Sequence, residues 1–546
     1  MNRVLDNPLY YLDNFELVLR WIGERYDDLL APDERAFLAD YQRLPQPARA
    51  LLVRMVMRKG TLFRASKLVY AEIGNTHEAA LPLARLGFIA ADPQLTLEEL
   101  FELLQKPEIS QVFQLSPALR QLRKADQLAA LQQQYDSAHP YSSWCAGSSD
   151  HCYRNLIRPL CDRLRLIFFG NFYQDWTEFV LSDLGIYQYE KVDFSPAARG
   201  FRNRRDIDDF LALHCCYERF NDGEDYTSVI ADLPPCAEDN EWLRSRHHKF
   251  LFQIAQHLEK QQDWSAAYQL YAGSQYPGAR ARAIRVLEKD GRSEPAYALL
   301  QQALQAPESA AERQQLLRMA PRLARAMGQP KPAPVVQAQP RRIDLQLPPP
   351  AEASYVELVV RDHLQEEQAP VFYVENALIN SLFGLLCWDA IFSPIPGAFF
   401  HPYHRGPADL HSADFQRRRS SQFAAALGQL EDGSYRATIL ANYTAKAGIQ
   451  SPFVYWETLA PDLLQLALDC IPPLHLRRSF ERILDDIKAN RSGFPDLIQF
   501  WPEQQRYTMI EVKGPGDRLQ DNQLRWIEYC AEHAMPIAVC YLQWAQ

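Results

Sequence analysis

The charges with most chemical potential lie near the C-terminus, in GFPDLIQFWPEQQRYTMIEVKGPGDRLQDNQLRW, residues 493–526. Asp496 follows a proline, and Glu511 and Lys513 flank Val512. Strand alternation puts Glu511 and Lys513 on one face of TMIEVK and Ile510 and Val512 on the other. The polar PEQQ at 502–505 predicts a turn. Antiparallel pairing across that turn brings Asp496 back toward Glu511, so two carboxylates and an ammonium converge at one end of a hairpin.

Two neighbouring carboxylates repel each other, and a divalent cation removes the repulsion. Mg²⁺ and Mn²⁺ match an all-oxygen ligand set and keep open water positions. The Val512 carbonyl is a candidate further ligand. Lys513 is then placed to orient or help activate a metal-associated water for attack on a phosphodiester, with charge stabilised by the cation. An ordinary surface hairpin carries the same short fragment, and a Glu-x-Lys triplet alone is a weak signal. The longer pattern is harder to obtain by chance: Pro-Asp, Glu-x-Lys fifteen residues on, then Gly-Pro and a Gln-x-x-Trp helix.

The elements that must position these groups read as an α/β core with a mixed sheet. DLIQFW and RYTMIEVKG are strand-like, DNQLRWIEYCAEHA is helical, and PIAVCYL is a last strand. Helices are expected over 371–392 and most of 413–488. Upstream, NFELVLRWIGERY and PDERAFLADYQRL have amphipathic spacing, and LTLEELFELL opens with a Thr and early Glu residues that mark a helix start. DWSAAYQLY and SEPAYALLQ share an Ala-Tyr-x-Leu core 29 residues apart, which predicts stacked helical hairpins. The run 328–350 holds seven prolines in 23 residues and predicts a linker. Turn-rich AHPYSSWCAGSSDH predicts a second boundary.

These signals divide the chain into a helical N-terminal domain over 1–145, a helical region with hairpins over 146–330, a Pro-rich linker over 331–350, and a C-terminal domain over 351–546. At 546 residues the chain can hold several cores. Net charge is -10, so no global basic field draws the chain to nucleic acid, and such binding must rest on local patches. The ten cysteines form no CxxC pair, which fits reduced, mostly buried thiols and a cytosolic setting. The N-terminus lacks a secretory pattern. ALINSLFGLLCWDAIFSPIPGAFF contains Asp389 and two prolines and reads as a buried helix followed by a turn, not a membrane span.

RSGFPDL…IEVKGPGDRLQDNQLRW resembles the VRR-NUC branch of the PD-(D/E)xK nucleases, at Arg491, Gly493, Pro495, Asp496, Glu511, Lys513, Gly514, Pro515, Asp517, Leu519, Gln523 and Trp526. That branch places a Glu on an earlier helix, and VENALINSLFGLLCWDAIF is similar to that element, with Glu375 as its carboxylate. RMVMRKGTLFRASKLVY, GFIAAD, LTLEELFELL and LIFFGNFYQDWTEFVLSDLGIYQYE are similar to the Fanconi-associated nuclease family. The resemblance implies mainly α-helical N-terminal and middle regions, SAP-like and TPR-like, followed by an α/β PD-(D/E)xK nuclease domain with a mixed sheet. It implies Glu375, Asp496 and Glu511 as metal ligands, Lys513 as the catalytic lysine and Gln523 facing the site. It also implies a structure-specific DNA nuclease that cuts near 5′ flaps, digests 5′ to 3′ and acts in interstrand crosslink repair with Mg²⁺ or Mn²⁺.

Eukaryotic members carry a ubiquitin-binding zinc finger whose Cys/His set is not found here, so the compact form is expected to be bacterial, cytoplasmic and nucleoid-associated. A large N-terminal half suits one active site on an asymmetric branched or flapped DNA, and hence a monomer. A Holliday-junction resolvase and a non-catalytic junction scaffold remain as alternatives.

A place for DNA is suggested by residues 41–71, with seven basic residues and no acid: Arg43, Arg49, Arg54, Arg58, Lys59, Arg64 and Lys67. Phosphate contact by Arg54, Arg58, Lys59, Arg64 and Lys67 predicts steep salt dependence. The triplet Arg417, Arg418 and Arg419 is a second candidate, inside the C-terminal domain. Arg199, Arg202, Arg204 and Arg205 are diluted by nearby Asp residues.

Overall fold

The computed structural model describes residues 7–174, 176, 187–237, 239–333, 340–350 and 354–545. Part of LIFFGNFYQDWTEFVLSDLGIYQYE, and residues 334–339 of the Pro-rich run, lie outside them. The chain divides into two compact units, Met1–Tyr187 with Phe201–Ile207, and Gln188–Gly200 with Asp208–Gln546.

The first unit is built on helices Tyr10–Tyr26, Pro32–Arg43, Gln46–Met57 and Thr76–Arg85. Phe15, Val18, Leu19, Ile22 and Tyr26 recur at helical spacing and are buried. A three-stranded antiparallel sheet joins β1 (Leu62–Arg64), β2 (Ile89–Ala91) and β5 (Cys152–Asn155), with β5 central. Two shorter strands, β3 (Gln94–Leu95) and β4 (His139–Pro140), pair beside it. The boundary expected at 145/146 is therefore not where the chain divides: β5 lies beyond it and pairs with both β1 and β2. Helix Leu97–Leu103 starts as its sequence predicts, with Thr96 and Glu99 forming a capping box over the first amides.

In the second unit, helices Glu241–Lys260, Trp264–Gly273, Ala279–Lys289, Ser293–Gln305 and Ala310–Ala326 form the predicted antiparallel hairpins. Asp263 and Ser309 cap two of them. Tyr271 and Glu259 tie the first pair together at 2.8 Å.

The remaining strands form a mixed five-stranded sheet in the order β6 (Arg341–Leu347), β10 (Ile537–Trp544), β9 (Arg506–Lys513), β8 (Leu497–Trp501), β7 (Val371–Tyr373). β6, β10 and β9 run parallel, while β9–β8 and β8–β7 are antiparallel. Two of these strands correct the sequence reading. Residues 341–347, inside the expected linker, are an edge strand, because Ile343, Leu345 and Leu347 alternate toward a core. Residues 371–373, expected in a helix, form β7; the helices that follow are Leu378–Leu386 and Trp388–Ile391.

Both faces of this sheet are covered. Ile510 and Val512 pack with Val360, Leu497 and Leu542 on one side. Met509 belongs to the large core on the other, with Leu382, Phe383 and Trp526. No helix among the described residues is long and apolar enough to cross a membrane. All ten cysteines are free thiols, most of them buried.

Candidate active site

The hairpin forms as its sequence predicts. Residues 502–505 make the turn, with Gln505 in the left-handed region at φ 47°. Register pairs Leu497 with Ile510, which sets Asp496, one residue before β8, opposite Glu511. Asp496 is the junction of three segments. Its Oδ2 accepts the Val512 N–H at 2.8 Å. Its carbonyl accepts the N–H groups of Val374 and Glu375 at 2.8 and 2.9 Å. The carboxylate is thereby tied to β9, and the backbone to the end of β7.

Glu511 and Lys513 share a face, as alternation requires, but that face is not solvated. Glu511 is 1% exposed and Lys513 7%. Lys513 Nζ stands 2.7 Å from Glu511 Oε1. That approach pairs a buried ammonium with a buried carboxyl, and Asp496 adjoins the same carboxyl. Burial pushes the Glu511 carboxyl up to about 8, with the Asp496 carboxylate adding to the rise and Lys513 opposing it. Burial likewise pushes Asp496 up to about 6, against the Val512 amide and Lys513 and with help from Glu357 and Glu375.

Glu375 lies in a turn that precedes helix Leu378–Leu386, at φ 35°, and not on the helix itself. The reason is the pair of amides drawn onto the Asp496 carbonyl, which bends the chain before the helix begins. Its Oε2 accepts from the Tyr373 hydroxyl at 2.7 Å and its Oε1 from Asn376 Nδ2 at 3.1 Å. Asn376 Oδ1 in turn accepts the amides of Gly493 and Phe494 at 2.8 and 3.2 Å. Tyr373, Asn376 and Glu357 were not singled out by sequence reasoning. For Tyr373 and Asn376 the available signal was adjacency to Glu375 in FYVEN; for Glu357 it was the first turn of helix Val356–Leu364.

Carboxylate oxygens are the donor type that a hard divalent cation takes. Two adjoining buried carboxyls repel when both are charged, and a cation or a shared proton relieves that repulsion. The donors are all oxygen, which suits Mg²⁺ or Mn²⁺ over softer ions. Among the described residues no three His, Cys, Asp or Glu side chains stand close enough to form a ready metal cluster. Asp496 and Glu511 adjoin at the hairpin end, and Glu375 is tied to them through its backbone amide on the Asp496 carbonyl.

Other expected site residues make contacts of their own. Gln523 turns its Oε1 back to the Gln520 amide at 2.8 Å and caps its own helix, Asp521–Glu532, because the first amides there need acceptors. Val512 touches Asp496 through its amide; its side chain is core. Arg54 donates to Glu72 at 2.6 Å and lies over the Tyr11 ring. Arg64 is held between Glu108 and Asp150 at 2.7 and 2.8 Å. Arg418 and Arg419 both bind Asp409, and Arg419 is fully buried. These four arginines are engaged in internal ion pairs. Arg58, Lys59 and Lys67 are exposed, though Arg58 also donates to the Lys67 carbonyl at 2.9 Å. The Arg417 side chain is 78% exposed.

Comparison with known proteins agrees with this architecture. Three family models match: "FAN1, HTH domain" over residues 9–90, "Fanconi anemia-associated nuclease SAP domain" over 94–144, and "VRR-NUC domain" over 430–544. The last contains Asp496, Glu511 and Lys513, while Glu375 precedes it. A Fanconi-associated nuclease 1 homolog from Pseudomonas aeruginosa is 56% identical over 540 residues, covering 99% of this chain and 97% of that protein. A homolog from Arabidopsis thaliana is 22% identical over 97% of this chain and 66% of its own length. The crystal structure of paFAN1 bound to 2nt 5′ flap DNA with a gap has a TM-score of 0.91 at 56% identity, with 100% of both chains covered. With that identity along nearly its whole length, the chain belongs to the Fanconi-associated nuclease family.

Proposed function

We propose that this protein is a structure-specific DNA nuclease that hydrolyses phosphodiesters near 5′ flaps, with 5′ to 3′ exonuclease activity, in the repair of interstrand crosslinks. The observation that carries the reading is the buried Glu511 carboxyl beside Asp496 and Lys513 in a member of this family. The relative paFAN1, solved on 5′-flap DNA, supports the choice of substrate.

Glu375, Asp496, Glu511 and the Val512 carbonyl are the residues that would hold Mg²⁺ or Mn²⁺. When bound, the cation supplies Lewis-acid stabilisation of the phosphate and of the leaving oxygen. The protein's own groups do the rest. Asp496, anchored through its carbonyl and Oδ2, keeps its carboxyl fixed relative to β9. Lys513, held beside Glu511, presents an ammonium that orients the attacking water and offsets charge on the phosphoryl oxygens. Burial excludes bulk water, so these charges act at low effective dielectric.

Backbone contacts would come from Arg58, Lys59, Lys67 and Arg417, which carry exposed charge without sequence reading. The division into an N-terminal DNA-binding portion, a TPR-like middle and a nuclease domain is part of this reading, as is action by a monomer on chromosomal DNA in the bacterial cytoplasm.

The test is a panel of labelled 5′-flap, 3′-flap, nicked and four-way DNAs, each with Mn²⁺, Mg²⁺ or EDTA. Cutting of the 5′ flap with metal, and none in EDTA, is expected. Preferential cutting of four-way DNA would favour a resolvase, and tight flap binding without cleavage under any metal would favour a scaffold. Full activity of Glu511→Gln or Lys513→Ala protein would overturn the assigned site.

A further inference from the structure

Glu375 is an exposed side chain held at every point that could move. Its backbone amide, with that of Val374, is fixed on the Asp496 carbonyl. Its φ of 35° is a sparsely populated conformation for a residue with a Cβ. Each carboxylate oxygen has a neutral donor, Tyr373 Oη on Oε2 and Asn376 Nδ2 on Oε1. An exposed glutamate gains little stability from such bonds, because water offers equivalent ones. What the arrangement does supply is a single orientation of the carboxylate plane.

We propose that Tyr373 is a positioning residue that presents Glu375 to the divalent cation and so sets the cation affinity of the site. The inference rests on Glu375 being a ligand, as read above. The last residue of β7 carries the hydroxyl: Tyr373 pairs in register with Leu497, the neighbour of Asp496. The phenol is thus placed by the same sheet that places the other two carboxylates. Tyr373 is 41% exposed, so it is not a core side chain and its hydroxyl contributes orientation more than packing. An oxygen that accepts one hydrogen bond keeps a lone pair for a cation. Outer groups that orient metal ligands change metal affinity by about 10–100-fold when removed. Asn376 performs the matching task on Oε1 and links it to the turn at Gly493 and Phe494 that leads into Asp496.

The test uses the full-length protein and Mn²⁺ as the probe, with free Mn²⁺ measured by electron paramagnetic resonance. Tyr373→Phe keeps the ring and loses only the hydroxyl. Its Mn²⁺ affinity is expected to fall about tenfold, with melting temperature and flap-DNA affinity in EDTA unchanged. The Mn²⁺ concentration for half-maximal flap cleavage should rise by the same factor, and saturating Mn²⁺ should restore the rate. That restoration separates a positioning role from a structural one. Glu375→Gln is the control for the underlying reading. Wild-type affinity in Tyr373→Phe, with affinity lost in Glu375→Gln, overturns the role of Tyr373 alone. Wild-type affinity in Glu375→Gln overturns Glu375 as a ligand and the proposal with it. A rate loss in Tyr373→Phe that saturating Mn²⁺ does not recover also overturns it.

Discussion

Asp496 accepts the Val512 amide through Oδ2 at 2.8 Å, so a carboxylate just before β8 is fixed to the strand that carries Glu511 and Lys513. One hydrogen bond thus sets the distance between the two acids at the hairpin end.

Removing the lysine tests the chemistry of that arrangement. Lys513→Ala leaves Glu511 buried without its counter-charge. Flap cleavage is expected to fall at least about 100-fold, with DNA affinity in EDTA preserved. Single-turnover kinetics against gel-shift titration separates the two.

The acids also impose a pH dependence on stability. Asp496 and Glu511 titrate at about 6 and about 8, above ordinary carboxyls, so the folded chain binds their protons more tightly than the unfolded chain does. Their stabilising contribution is complete below the ordinary carboxyl range and is lost as pH rises through those two values. The metal-free protein should therefore melt lower at about pH 9 than at about pH 6, with Glu511→Gln flattening the slope and Mn²⁺ stabilising most at the alkaline end. Calorimetry in EDTA checks this; identical slopes for wild type and Glu511→Gln would refute it.

Basic residues of one short stretch should separate by role. Arg64→Ala leaves Asp150 and Glu108 without their partner and is expected to cost about 1–3 kcal/mol of stability. Lys59→Ala should leave the melting temperature alone and lower the salt slope of flap binding by about one. Denaturation curves and salt titrations of both variants decide it; a stable Arg64→Ala protein with weakened DNA binding would reverse the assignment.

Arg419 is fully buried on Asp409, with a bidentate contact at 2.8 and 2.9 Å. Arg419→Ala removes the buried bidentate partner and leaves Asp409 with Arg418 alone at 2.8 Å, and is expected to cost about 1–3 kcal/mol. Its effect should appear in unfolding midpoints, with flap affinity of the folded fraction unchanged.

Gly493 takes φ 91°, and a Cβ there would lie 2.8 Å from the Asn522 carbonyl carbon. Gly493→Ala should therefore destabilise the protein by more than about 1 kcal/mol. It should also slow cleavage, because the turn it strains leads into Asp496. A melting temperature and rate equal to wild type would contradict this.

The sequence by itself determined the parts that rest on local chemistry. Period-two alternation in TMIEVK put Glu511 with Lys513, and PEQQ made the turn that returned Asp496. Thr96 and Glu99 capped a helix at the predicted place. In β6 Ile343, Leu345 and Leu347 alternate, but the prolines on either side mask that period in the sequence. β7 is three residues long, too short for any period to register.

Tertiary structure alone decided which charges are available. Residues 41–71 hold no acid, yet Arg54 meets Glu72 eighteen positions away, and Arg64 meets Glu108 and Asp150 at separations of 44 and 86. It also decided that Glu511 is buried, because both faces of the sheet are covered, and that Glu375 sits in a strained turn, because two amides converge on the Asp496 carbonyl. Local pattern fixes which way a side chain points from its own strand or helix. Which charge stands opposite it depends on segments brought together from far along the chain, and no short-range periodicity records that.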